Sequence, residues 1–177
     1  MATTPVLLPI TEYLLTSYSP DVDYVDGKLE ERNVGEHDHA RLTLLLGSLF
    51  LQHEEDWGVH ALVEQRIRVN SSRVRVADVL VLRSSDPIDA VIQVAPLLCI
   101  EILSPEDRIS RAEKVLADYF TMGVPNIWLI DPHQKAAFTY GAQGLQRADS
   151  DALRVKGSEI EIDLNRLFVR LGKKQPS

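Results

Sequence analysis

Apolar and polar positions follow more than one rhythm along this chain, and each rhythm predicts a different element. From Asp38 to about His53, the residues Leu42, Leu45, Leu46, Leu49 and Phe50 recur every three or four positions, the period of a helix with one core-facing stripe. The spacing returns in Ile109, Ala112, Leu116 and Tyr119, after which Gly123 can close the helix in a left-handed cap and Pro125 stops it. Its start is ambiguous, because Ser104-Pro105 places proline at a first helical position while Ser110-Arg-Ala-Glu113 is a capping box. Residues 59–69 and 74–83 are β-branched runs around Asn70-Ser-Ser-Arg73, which predicts a hairpin, and Asp26-Gly27 predicts a tighter one between residues 23–25 and 28–32. Residues 97–103 and 127–130 are apolar without alternation, as in strands covered on both faces. A helix between two such strands implies a crossover with parallel pairing, hence a mixed α/β sheet. A short helix with Thr11 as its cap precedes these elements. Residues 136–140, 153–155 and 159–162 read as short antiparallel strands, and 164–167 as a last helical turn. We expect a single domain over residues 1–172 and a frayed tail at 173–177.

Two residues break the apolar rhythm. Glu101 lies inside the run 97–103, and Asp78 lies among Val74, Val76, Val79 and Val81. A carboxylate buried without a partner costs several kcal/mol, so each needs a cation, a set of donors or a water-filled cleft. The two strands are expected to be neighbours, which would bring both acids to one face. Such a pair suits magnesium, which takes oxygen ligands and keeps several waters. It suits equally well a structural ion pair with Arg66, Arg68 or Arg75, and spacing does not separate the two. Glu31 closes the Asp26-Gly27 hairpin and reads locally as a solvated strand end. His37-Asp38-His39 invites a metal reading, but neighbouring helical positions diverge by about 100 degrees, and no second ligand pair stands at zinc spacing. Helix-start capping by Asp38 is the preferred reading.

Composition narrows the field. The 177 residues are 45% apolar and carry one cysteine, Cys99, which reads as a small buried hydrophobe in its strand. No apolar run approaches the length that crosses a bilayer, and no basic leader is evident, so a cytoplasmic protein without membrane contact is expected. The formal charge of −7 opposes general attraction to phosphate backbones, although Arg66, Arg68, Arg73 and Arg75 could make a local positive face.

Several motifs in order carry a resemblance: Tyr24-Val-Asp-Gly-Lys-Leu-Glu-Glu31, His39, Arg75-Val-Ala-Asp78-Val, Ile100-Glu101-Ile-Leu-Ser-Pro105, and Tyr119 followed by Gly123-Val-Pro-Asn-Ile-Trp-Leu-Ile-Asp-Pro132. Together they resemble the Uma-two family of restriction-endonuclease-like proteins, within the PD-(D/E)xK nuclease superfamily, across residues 10–170. The resemblance implies a restriction-endonuclease-like core flanked by helices, with antiparallel additions at the C-terminus. It further implies DNA as substrate, Mg2+ or Mn2+ as cofactor, and a metal site that includes Asp78 and Glu101, joined by Glu31. A homodimer is suggested by the nuclease-like fold alone. The chain departs from that pattern where the lysine two positions after the glutamate is replaced by Leu103. Relatives tend to carry a lysine four residues before the tyrosine; here that position is Val115, and Lys114 stands one step earlier. Lys114 is therefore a candidate for orienting water or stabilising developing charge, against a plain reading as a surface lysine near Asp118. The alternative for the whole chain is a catalytically degenerate nuclease fold serving as a binding or oligomeric module.

Overall fold

The computed structural model describes residues 7–32, 36–105 and 109–172. The expected tail at 173–177 lies outside them, as do positions 106–108 of the ambiguous helix start. Helix α1 (Ile10–Leu15) is followed by the hairpin β1 (Val22–Val25) and β2 (Lys28–Glu31). Its turn places Asp26 at φ 50° and Gly27 at φ 87°, the left-handed pair that a two-residue loop requires. Helices α2 (His37–Gln52) and α3 (Glu54–Trp57) lead into the long hairpin β3 (Val59–Asn70) and β4 (Arg73–Arg83). Then come β5 (Leu98–Ile102), α4 (Ile109–Met122) and β6 (Ile127–Asp131), with β6 parallel to β5 across the expected helical crossover. Strands β7 (Ala136–Gly141) and β8 (Gly144–Arg147) extend this sheet, while β9 (Ala152–Arg154) and β10 (Glu161–Asp163) form a separate ribbon before α5 (Leu164–Leu171).

Strand alternation divides the interior in two. Leu98, Ile100 and Ile102 of β5 and Trp128 and Ile130 of β6 face α2, α5 and the β9–β10 ribbon. Cys99 and Leu103, with Ile127 and Leu129, face α4 through Leu116 and Tyr119. Each β5 residue thus commits to one face or the other. Glu101 falls on the α4 face.

Pairing along β4 explains where the sheet opens. Val74 pairs with Arg68 of β3 and Tyr24 of β1, and Val79 pairs with Val63 of β3 and Ile100 of β5. Strands β1 and β5 therefore share the β4 edge opposite β3, one at each end. Between them, at Val76 to Asp78, that edge has no strand partner among the described residues. Side chains take over the backbone donors there: the Val76 N–H donates to Asp23 Oδ1, and the Ile102 N–H to Asp78 Oδ2.

Four expectations change. Helix α1 begins after Pro9, so Thr11 is inside it, and α2 begins after Glu36, so Asp38 lies in the first turn instead of capping it. A carboxylate there still favours the positive helix end. Strand β8 is additional to the expected C-terminal elements. Three of the four arginines of the basic cluster are neutralised within the fold: Arg66 pairs with Asp21, Arg73 with Asp26 and Asp118, and Arg75 with Asp23, Glu30 and Asp118.

Candidate active site

The opening in the β4 edge is a small cavity of about 60 Å³, lined by Asp23, Arg32, His39, Asp78, Glu101, Arg111 and Val115 among others. Asp78 and Glu101 stand one residue beyond the last paired positions of β4 and β5, Val79 and Ile100, where the Ile102 N–H leaves the ladder to donate to Asp78 Oδ2, and both side chains line the cavity. Across β4 on its other edge, Glu64 is the single β3 residue between Val63 and Gln65 that breaks the pairing, and it adopts φ 50°. That backbone conformation is uncommon for a residue with a side chain, and here it stands beside Asp78.

Asp78 is 2% exposed and heavily engaged. Its Oδ1 accepts from Arg32 Nη2 at 2.6 Å. Its Oδ2 accepts from the Ile102 N–H at 2.8 Å and lies 3.1 Å from His39 Nε2. Arg32 also reaches Glu64 at 2.5 Å, so one guanidinium spans two carboxylates. The surrounding charges of Asp78, Glu101 and Glu64 outweigh the burial that would lower its pKa, and hold Arg32 firmly protonated. His39 balances the same way. Burial pulls its pKa down, but the hydrogen bond and charge of Asp78 prevail and raise it.

Glu101 is held differently. Its Oε1 accepts from the Tyr119 hydroxyl at 2.7 Å, and no guanidinium is within ion-pair distance of it among the described residues. The side chain is partly accessible through the cavity. Its carboxylate is nonetheless poorly solvated, so burial and then the negative charge of Asp78 push its pKa well above the usual range, against the pull of Arg32 and Tyr119.

The other candidates stand further out. Glu31 is exposed on β2, outside the cavity lining, and its backbone carbonyl accepts from Arg111 Nη2. Lys114 is exposed and likewise outside the lining, whereas Val115 and Arg111 on the same helix are in it. The ion pairs considered for Asp78 with Arg66, Arg68 or Arg75 are replaced by one with Arg32, a residue that follows Glu31 and carries no local sequence signal. His39 was legible as a motif residue, but its turn toward Asp78 was not.

His39, Glu64 and Asp78 also bring one nitrogen and two oxygen ligand atoms within 4.8 Å of one another, around the Arg32 guanidinium. Two carboxylates facing one small polar cavity are the hard oxygen donors that magnesium or manganese takes. The donor set therefore fits a divalent cation.

A sequence profile of the Uma2 family, described as "putative restriction endonuclease", matches residues 11–164. The chain belongs to the Uma2 family. Among curated proteins, none matches the chain. A solved structure from Anabaena variabilis, titled a "putative nuclease", superposes with a TM-score of 0.82 at 24% identity, covering 94% of this chain and 99% of that one. The nuclease-like fold of this Uma2 member is thus shared with a crystal structure over nearly the whole length of both. Among the described residues, no helix is long and apolar enough to cross a membrane.

Proposed function

We propose that this Uma2 protein is a divalent-metal-dependent endonuclease that hydrolyses DNA phosphodiester bonds, with Asp78 and Glu101 as the protein's ligands to the cation. The observation that carries the reading is that these two acids come from neighbouring strands to a single cavity, where burial and then the charge of Asp78 raise the pKa of Glu101. When bound, magnesium or manganese would polarise the phosphodiester and lower the pKa of an attacking water. The chain supplies orientation. Tyr119 fixes one oxygen of Glu101, the Ile102 N–H and His39 fix Asp78, and Arg32 neutralises Asp78 until a stronger cation competes for it. Glu31, outside the cavity, would act through water.

Purified protein should nick or cut DNA in magnesium or manganese, and Glu101→Ala should abolish cutting while leaving the fold intact. Equal cleavage by the variant would remove the acid pair from the chemistry. A second reading, a degenerate nuclease fold used for binding, is favoured by one observation: Arg32 already occupies the Asp78 carboxylate. Calorimetric titration separates the two, since absence of divalent binding at millimolar concentration would favour the second.

A further inference from the structure

The cavity has two guanidinium groups in its lining, and they are not equivalent. That of Arg32 is divided between Glu64 and Asp78. That of Arg111 donates to the Glu31 backbone carbonyl, a neutral group, and among the described residues no carboxylate is within ion-pair distance of it. Among the described residues, Arg111 thus brings a positive charge with no carboxylate partner to a site lined by Asp23, Asp78 and Glu101. Helix geometry fixes where it points. Arg111, Val115 and Tyr119 are spaced by four, so they share one face of α4. That face is locked toward the acids by the Tyr119 hydroxyl on Glu101. Lys114 is rotated from Val115 by about 100 degrees and is exposed outside the lining.

We propose that Arg111 is the phosphate-binding residue of this site, holding a non-bridging oxygen of the scissile phosphodiester and offsetting the charge that grows on it during attack. A guanidinium suits that task, because its planar fork matches two phosphate oxygens. It does not lose its proton in proteins, so its contribution is electrostatic and excludes water activation. The assignment rests on the nuclease reading above, and it gives Arg111 the part considered for Lys114.

The test compares wild type, Arg111→Ala, Arg111→Lys, Lys114→Ala and the double variant Arg111→Ala/Val115→Lys, on one fluorescent DNA duplex in manganese. Removing a preorganised charge-stabilising donor typically costs about 10²- to 10³-fold in kcat, and that loss is expected for Arg111→Ala. Lys114→Ala should match wild type. A lysine at position 115, on the same face, should restore at least part of the rate to the double variant. A turnover-independent measurement runs alongside. Loss of one phosphate contact should flatten the slope of log binding constant against log salt by about 0.9, and Arg111→Lys should keep the wild-type slope. Wild-type rate and slope in Arg111→Ala would overturn the assignment. If wild type binds but does not cut DNA, the nuclease reading falls alone, and the slope still decides Arg111. Absence of any DNA binding would overturn both.

Discussion

Replacing Arg32 by methionine keeps an apolar stem and removes the guanidinium, with the charge and the hydrogen bonds that span Asp78 and Glu64. Breaking a buried ion pair by removing one partner costs about 3–5 kcal/mol, because the other charge is left uncompensated. The side chain of Asp78 is 3% exposed and that of Arg32 18%, and the cavity can admit water, so the lower end applies, about 3 kcal/mol. For a chain of this size each kcal/mol moves the melting temperature by roughly 2–4 °C, which gives a drop of roughly 6–12 °C without metal. The same change should favour cation binding, since the cation no longer competes with a tethered guanidinium. Were the whole 3 kcal/mol transferred, manganese would bind about a hundredfold more tightly, at about 1.4 kcal/mol per factor of ten. Scanning calorimetry with and without manganese reads both effects, with the metal recovering more of the melting temperature in the variant than in wild type. A variant that melts with wild type in the absence of metal, or whose manganese affinity is unchanged, would refute the view of Arg32 as an internal counter-cation.

Other consequences follow from the same geometry. Because burial and Asp78 raise the pKa of Glu101, protons compete with the cation. Apparent metal affinity should therefore climb with pH until Glu101 is ionised, and binding below that point should release a proton, read by calorimetry in buffers of different ionisation enthalpy. No release, or affinity that falls with pH, would contradict it. Asp118→Asn removes the shared partner of Arg73 and Arg75, and Arg75 is 3% exposed. A loss of about 3 kcal/mol in chemical denaturation is expected, and a loss under 1 kcal/mol would show that Asp23 and Glu30 suffice to satisfy Arg75.

The framework was legible because its signals are periodic or stereochemical. The α2 and α4 stripes, the Asp26-Gly27 turn, the Asn70–Arg73 turn and the apolar runs of β5 and β6 all appear where their patterns place them. Asp78 and Glu101 were legible for a related reason, since a charge inside a buried strand is an anomaly that only a site or an ion pair resolves. Arg32, Arg111 and the turn of His39 toward Asp78 were not. An arginine beyond a hairpin, a histidine in a first helical turn and an arginine in a capping box are all ordinary in their own segments, and become notable only when three elements meet at the β4 edge. The arginines of β3 and β4 misled for the same reason. Pairing with β1 and packing against α4 set Asp23, Asp26 and Asp118 beside Arg73 and Arg75, so a basic string along the chain becomes a neutral lattice in space. Strand β8 is only four residues long and has no clear alternation, which left it unmarked.

The two-sided interior has a genetic corollary. Residues Leu153 to Leu171 cover the sheet face that α2 also covers, whereas Glu101 opens on the α4 side, where Tyr119 donates to it. Damage to residues 153–171 would therefore lower how much protein accumulates, whereas changes confined to Glu101 or Arg111 would leave abundant protein that has lost its chemistry, so the two classes of inactive allele should part cleanly on an immunoblot.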